Sequence, residues 1–460
     1  MPRIVIPFAM ICTLLLLAGC ERAAPPEDML AQATAHVEQA EQAGSGDFVL
    51  ALQQLELADN RLQQLLDTHR QSELVQDLRE GDTTVGPYTL AELRERVIPR
   101  ARERVRIQRE GDLFDIALYL AEGLPDETAI GRAAMQIGAA IQYTGDTARA
   151  LEVARRYGQA SVEMDALLEA RELAAGGNYK AALEALEALE DPTRRAASRL
   201  MIGEMMASEG HYESALEVLD EAEPHLDFFR PVFRALARAY ATAGNYDKAL
   251  EYGRHAGDNA QTSDTLIEIA MILNEQGDSD NAPEAWEAKM AGEVLAETRE
   301  VIEAMTNEQY RAEYLAVLAH ASADGGDHEQ ATRWFDEARA QAETIESSRM
   351  RHESLGVIAF RLAGAGFEEL ALELLEDATR RLQEEDAAAF IQAELRPFEV
   401  YANLGDFDTA MRKLLEIESR ALYMDGLSNV AIAMSEQDAQ STEKQRVRLL
   451  LHGRHLESSR

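Results

Sequence analysis

The chain has 460 residues, too many for one ordinary hydrophobic core, so the length predicts two or three domains or one extended repeat array. The composition is rich in Ala, Leu and Glu, with only 6% aromatic residues, and no segment alternates like a strand, which predicts an all-α fold. The formal charge of −38 argues against nucleic-acid binding and against broad adhesion to anionic headgroups. This charge either keeps a long solvated molecule soluble or attracts a basic partner.

The first 19 residues (1–19) have the pattern of a secretory signal peptide. Arg3 gives a positive start, and the apolar run from Ile4 to Leu17 is too short to span a bilayer comfortably. The run ends in Leu17-Ala18-Gly19-Cys20, which resembles the bacterial lipobox. The resemblance implies cleavage before Cys20 and lipidation of its thiol, with further acylation, such as palmitate, that makes anchoring stable. An uncleaved anchor helix or a chance tetrapeptide is the alternative.

The residues after the cleavage site bear on location. Residues 20–27 are predicted to be the lipidated cysteine and a polar tether, because Pro25-Pro26 favours extended chain. By the same resemblance, an aspartate after the cysteine retains a lipoprotein at the inner membrane. Glu21 therefore favours a lipid anchor in the outer membrane, with the chain on the periplasmic side.

Residues 28–122 are predicted to form an N-terminal helical region that is less regular than the rest. Within it, the stretch from Leu93 to Arg109 is locally basic, which is unusual in so acidic a chain. This stretch is either a contact strip for a partner or a helix face paired with acidic neighbours.

From residue 126 to residue 440 the sequence repeats itself. Eight glycines follow apolar stretches, the first five spaced 32, 33, 34 and 33 residues apart: Gly145, Gly177, Gly210, Gly244, Gly277, Gly326, Gly366 and Gly405. Five residues after each glycine stands an alanine: Ala150, Ala182, Ala215, Ala249, Ala282, Ala331, Ala371 and Ala410. Glycine permits the left-handed cap that ends a helix, and small residues let two helices approach closely. A single hairpin cannot bury its apolar face alone, so we predict stacked α–α hairpins.

One repeat carries a resemblance to a known family. Gly244-Asn245-Tyr246-Asp247-Lys248-Ala249-Leu250, with a period of about 34 residues, resembles the tetratricopeptide repeat, which implies a superhelix of helical hairpins over residues 126–440. The sequence departs from that family: the early tryptophan is absent, the terminal proline is displaced, and later units stretch to 49, 40 and 39 residues. A general α–α solenoid therefore stays open. The basic segment 441–460 is predicted to be a helix or tail that caps the array.

The resemblance also implies a binding face, because such repeats bind partners along the first helices of their hairpins. In the family's register, this face takes the residues six and ten before each glycine. Arg234 and Arg238 fall there, four residues apart, as does Arg171 two repeats earlier. We predict that these three arginines bind an acidic side chain or a C-terminal carboxylate of a partner. The alternative is an internal ladder, Arg171–Glu204–Arg238, that only braces neighbouring helices.

No motif for catalysis, for a metal site or for a cofactor stands out, so we predict that the protein is not an enzyme. The leading hypothesis is a non-catalytic scaffold or adaptor that binds protein or peptide partners in envelope assembly, secretion or peptidoglycan turnover. Fold analogy alone supplies that range of processes. The alternatives are the helical part of a cell-wall lytic enzyme system and a self-assembling structural spacer.

Overall fold

The computed structural model describes residues 24–44, 46–158, 162–225, 230–277, 284–385 and 396–458. Within these ranges every regular element is a helix, and the only β pairing is an isolated bridge between Val85 and Tyr88. The predicted all-α fold class is confirmed. The predicted signal peptide and Cys20 lie outside the described residues, and the first helix begins at Pro26, inside the predicted tether. None of the described helices combines the length and the apolar character needed to cross a bilayer.

The chain divides into two compact units. The described residues up to Asp112, together with Ser441–His455, form the first unit. Leu113–Gln440 and Leu456–Arg460 form the second. The N-terminal region predicted to end at residue 122 therefore extends into the second unit, and most of the segment predicted to cap the array belongs to the first.

The first unit begins with five helices: α1 Pro26–Ala43, α2 Phe48–Thr68, α3 Glu73–Glu80, α4 Leu90–Glu92 and α5 Ile98–Glu110. The side chain of Asp47 caps α2 by accepting a 2.9 Å hydrogen bond from the amide of Leu50. α1 and α2 pack against each other as a hairpin. A π-helical turn, Leu93–Val97, joins α4 to α5 just before Pro99, whose ring removes an amide donor from the helix ladder.

The basic stretch in the first unit is paired with acidic side chains. The guanidinium of Arg94 lies 2.5 Å from a carboxylate oxygen of Asp59, and that of Arg102 lies 3.0 Å from Glu56. Arg106 is paired with Glu103 at 2.7 Å on the same helix. These three arginines therefore belong to a helix face that is paired with acidic neighbours, which is the second of the two alternatives for this stretch.

The second unit is an array of helical hairpins. Its helices are α6 Leu113–Ala121, α7 Glu127–Tyr143, α8 Thr147–Tyr157, α9 Val162–Ala175, α10 Tyr179–Ala185, α11 Pro192–Ser208, α12 Tyr212–Ala222, α13 Arg230–Thr242, α14 Tyr246–Arg254, α15 Asn259–Gly277, α16 Glu284–Glu303, α17 Glu308–Asp324, α18 His328–Glu343, α19 Ser348–Gly364, α20 Glu368–Glu385, α21 Pro397–Asn403, α22 Phe407–Leu414 and α23 Arg420–Glu436. From α7 to α22 the helices pair consecutively as the first and second helix of a hairpin. From α9 onward each first helix also packs on the next, up to α23, as expected for a hairpin solenoid.

The repeated glycines lie in the turns inside the hairpins. Seven of the eight have positive φ, from 72° at Gly177 to 86° at Gly210, so the predicted left-handed caps are confirmed there. The alanines five residues after these seven glycines are all buried. In five repeats the residue right after the glycine caps the second helix through its side chain: Asp146, Asn178, Asn245, Asp327 and Asp406. Each turn thus ends one helix and starts the next.

Small residues on the first helices hold the hairpins tight. A Cβ atom added at Gly138 would lie 3.2 Å from Cγ1 of Val153, on the second helix of its hairpin. One added at Gly203 would lie 2.9 Å from Cδ2 of Leu219. Any larger side chain at these positions would push the two helices apart, because the interior is already close-packed.

Two neighbouring repeats are joined by a polar cluster, here called the Glu223 network: Asp220, Glu223, Tyr240, Lys248 and Tyr252. The Lys248 ammonium lies 2.8 Å from Glu223 and 2.9 Å from Asp220, and it donates to the Tyr240 hydroxyl at 3.0 Å. The Tyr240 hydroxyl lies 2.6 Å from Glu223, and the Tyr252 hydroxyl donates to the same carboxylate. The Tyr240 and Tyr252 side chains are buried, so the network gives their hydroxyls hydrogen-bond partners inside the fold.

The two ends of the array meet within the second unit. α23 packs against both α6 and α7, so α6 takes the place of a second helix for α23. The buried side chain of Arg420, at the start of α23, donates to the carbonyl oxygens of Leu120 and, at 3.2 Å, of Gly123. A cation there binds carbonyls that the end of α6 leaves without helical partners. The extended array that the sequence predicts is therefore closed on itself.

The last described helix, α24 Glu443–Ser458, contributes most of its length to the first unit. Its Arg446 is buried and donates to the backbone carbonyl oxygens of Gln108 and Arg109, at 2.9 Å each. Arg454 donates to the carbonyl oxygen of Gly44. These bonds fix α24 to the ends of α5 and α1, because they satisfy carbonyls that those helices leave open.

Candidate binding cavity on the first helices

The first helices α7, α9, α11, α13 and α15, together with the second helix α8, line a cavity of about 740 Å³, here called the first-helix cavity. The residues six before five successive glycines all line it: Ala139, Arg171, Glu204, Arg238 and Met271. Of the residues ten before the glycines, only some face the cavity. Met135 lines the cavity, but Leu200 and Ile267 are buried where neighbouring helices pack. The six-before residues of these five repeats therefore share one cavity, whereas those of the three later repeats, His320, Phe360 and Glu399, do not line it.

Two of the three predicted arginines are paired with carboxylates. The guanidinium of Arg238 lies 2.5 Å from Glu204 and 3.4 Å from Glu268. Arg234 lies 3.1 Å from Glu268 and 3.9 Å from Asp264, and it is not among the residues that line the cavity. Burial lowers the pKa of Arg238, but the two glutamates outweigh that effect and raise it overall. These groups form a ladder along α11, α13 and α15.

Arg171 stands apart from that ladder. Its guanidinium is exposed to the cavity, and its Nε donates to the thioether sulfur of Met201 at 3.0 Å. It forms no ion pair with any carboxylate among the described side chains, and burial alone lowers its pKa. The predicted bracing ladder thus exists between Glu204 and Arg238 but does not include Arg171.

The cavity is rich in methionine, which the sequence analysis did not single out. Met135, Met201, Met205 and Met271 line it, and Met135 and Met271 are 42% and 38% exposed. The small residues Gly138 and Ala139 also line it. The spacing gave only a weak signal. Met201 and Glu268 both lie nine residues before a repeat glycine, but the residues nine before the other three glycines of these repeats, Gln136, Leu168 and Ala235, do not line the cavity.

Farther along the array, on α15, α19 and α21, the polar groups are more deeply enclosed. Burial raises the pKa of Glu399 and of Asp264, although nearby arginines and hydrogen bonds act in the opposite direction. Tyr314 donates a 3.0 Å hydrogen bond to Asp264. Burial also lowers the pKa of Arg361, whose Nε is buried and has no hydrogen-bond partner among the described residues. In this region, burial therefore disfavours the charged forms of Asp264, Arg361 and Glu399.

The comparisons with known proteins give no family assignment. No protein-family model matches the chain, and no curated protein matches it. The fold and the cavity therefore carry the functional argument.

Proposed function

We propose that the chain is a lipid-anchored, non-catalytic adaptor of the tetratricopeptide-like class, which binds a protein partner in the first-helix cavity at the periplasmic face of the outer membrane. The period, the left-handed glycines and the buried alanines support the repeat class. The sequence Leu17-Ala18-Gly19-Cys20 supports the anchor, and Glu21 supports the outer membrane.

One observation carries the binding role: the cavity combines thioether side chains with a guanidinium that no described carboxylate neutralises. Ligand sites are mostly apolar concavities of a few hundred cubic ångströms with a small number of placed polar groups. Methionine suits such a surface because its side chain is flexible and polarizable, and therefore adapts to a partner. Arg238, in contrast, is paired with Glu204 and Glu268.

Site-specific photocrosslinking in the native envelope tests this role. A photoreactive amino acid is placed at Ala139, inside the cavity, and in a matched control at Glu329, whose side chain is 85% exposed on α18. We expect adducts with one or a few other envelope proteins from position 139 and not from position 329. Adducts with the chain itself alone would favour the self-assembling spacer, and no adduct from position 139 would contradict the adaptor.

The anchor has its own test. Cys20→Ser removes the only thiol that the predicted mature chain contains, so we expect the protein to move from the membrane fraction to the soluble periplasmic fraction. Metabolic labelling with a fatty acid should mark the wild type and not the variant. A wild-type chain without label would contradict lipidation and leave the cavity argument intact.

A further inference from the structure

The lining of the first-helix cavity is chemically divided. Around Arg238 the cationic and anionic groups neutralise each other, since Glu204 and Glu268 both lie within ion-pair distance. Arg171 forms no ion pair with a described carboxylate, and its Nε donates to the Met201 sulfur at 3.0 Å. The second region therefore lacks one thing that a ligand can supply, a negative charge at Arg171.

The four thioethers indicate what accompanies that charge. Methionine sulfur makes favourable contacts with aromatic rings, often at the ring edge about 5 Å away. An arginine guanidinium binds a carboxylate through paired N–H donors and also stacks on aromatic faces. An aromatic side chain next to an acidic one would satisfy both halves of this region at once.

The position of Arg171 along the cavity bears on how a ligand chain lies. Arg171 belongs to α9, the second of the five first helices that line the cavity, with α7 on one side and α11, α13 and α15 on the other. Packed helices are spaced by about 8–10 Å, so a segment crossing these helices is roughly ten extended residues long. A carboxylate bound at Arg171 then lies inside this segment and not at its end.

We propose that the first-helix cavity binds an internal, extended segment of a partner protein in which an aromatic residue adjoins an aspartate or glutamate. The acidic side chain pairs with Arg171, and the aromatic ring packs against the thioether of Met201, which lies beside Arg171. This inference rests on the proposed adaptor function and names the kind of segment that the adaptor recognises. It narrows the expectation that Arg171, Arg234 and Arg238 bind the partner's carboxylate to Arg171 alone.

The test is a selection with the full chain against random segments of about ten residues, displayed inside a loop so that no free C-terminus is present. We expect enrichment of segments in which Phe, Tyr or Trp adjoins Asp or Glu. The affinity of an enriched segment should fall at least about tenfold in Arg171→Glu, the loss expected when a charge-assisted bond is removed. Arg333→Glu makes the same charge change on α18 outside the cavity, and its affinity should match the wild type.

A second measurement locates the bound segment. In protein labelled at the methionine methyl groups, adding an enriched segment should shift the resonances of the cavity methionines and leave that of Met424, which is buried on α23, unchanged. Met271→Gln should weaken binding without changing the thermal unfolding midpoint by much, because that side chain is 38% exposed.

Three outcomes overturn the inference: no enrichment over the starting library, enriched segments without the aromatic–acidic pair, or affinity that Arg171→Glu leaves unchanged. Failure here is distinct from failure of the adaptor function. Photocrosslinks from Ala139 to other envelope proteins, combined with an empty selection, would keep the adaptor and remove this recognition rule. A successful selection without such crosslinks would do the reverse.

Discussion

The Glu223 network and the Arg171 region of the first-helix cavity lie in the same array, and each contains a cationic side chain, but only the cation of the network is paired with carboxylates. In the network, one carboxylate receives bonds from an ammonium and two tyrosine hydroxyls. In the cavity, a guanidinium faces thioethers and lacks a described carboxylate. Polar groups that serve only the fold are satisfied within the fold, whereas one left open is available to a ligand. Stability and binding should therefore respond oppositely to substitutions in the two places.

The largest stability effect is expected from Glu223→Ala. The variant leaves the buried Tyr252 hydroxyl without this acceptor and leaves Lys248 and the Tyr240 hydroxyl with Asp220 alone, which should reduce the free energy of unfolding by about 2–3 kcal/mol. Urea unfolding followed by circular dichroism measures this loss. The control is Glu221→Ala, two residues away with a side chain 71% exposed, which should change stability by less than about 0.5 kcal/mol. Equal effects of the two variants would mean that the network contributes nothing special.

The second effect concerns the closure of the array. Arg420→Ala removes two hydrogen bonds to the carbonyls of Leu120 and Gly123, and a loss of about 1–3 kcal/mol is expected. The change should be local, so hydrogen exchange should accelerate in α6 and at the start of α23 and remain unchanged in α13. Uniform exchange along the array would show that closure does not depend on this arginine.

The pH dependence sharpens the comparison further. Burial raises the pKa of Glu223, but bonds from Lys248, Tyr240 and Tyr252 lower it below its ordinary value of 4.5 overall. Its stabilising contribution is therefore complete above pH 4.5 and is lost as the pH falls through the lowered value. The stability difference between the wild type and Glu223→Gln should shrink on acidification from pH 6 to pH 3.5. For Glu399, whose pKa burial raises, the difference from Glu399→Gln should move in the opposite direction.

The smallest stability effect is expected at the site proposed to bind. Arg171→Ala removes no ion pair among the described side chains, so it should change the free energy of unfolding by less than about 0.5 kcal/mol. Arg238→Ala, six residues before its own glycine, should cost about 1–2 kcal/mol because it leaves Glu204 without its cation and Glu268 with Arg234 alone. Equal losses of unfolding free energy in the two variants would contradict the distinction between Arg238, which is paired with carboxylates, and Arg171, which is not.

The repeat architecture could be predicted because it depends on interactions between residues that are close in sequence. A glycine that ends a helix and an alanine that touches the neighbouring helix act over a few residues, and both recur at fixed spacing. The register six before each glycine placed Arg171 and Arg238 in the cavity correctly. The same register could not tell which arginine was paired, since Glu268, the second partner of Arg238, comes from the next repeat.

The packing of α23 against α6, which closes the array, could not be predicted from the sequence. α6 lies outside the repeated pattern, so nothing local marks it as the partner of α23. The bonded residues Arg420 and Leu120 are 300 positions apart. The same applies to α24, whose basic residues suggested a cap on the array. Arg446 instead binds backbone carbonyls of Gln108 and Arg109, which any sequence would present.

The pairing of α6 with α23 has a consequence for how the chain acquires its structure. An open stack of hairpins can grow one unit at a time as the polypeptide emerges, each new unit settling on the last. Within the array α6 is synthesised first, but its partner α23 follows about 300 residues later. Bringing the two together therefore costs the entropy of closing a long loop. The slowest step of folding should therefore be the docking of α23 against α6. Truncating the chain before α23 should leave α6 without the helix that it packs against.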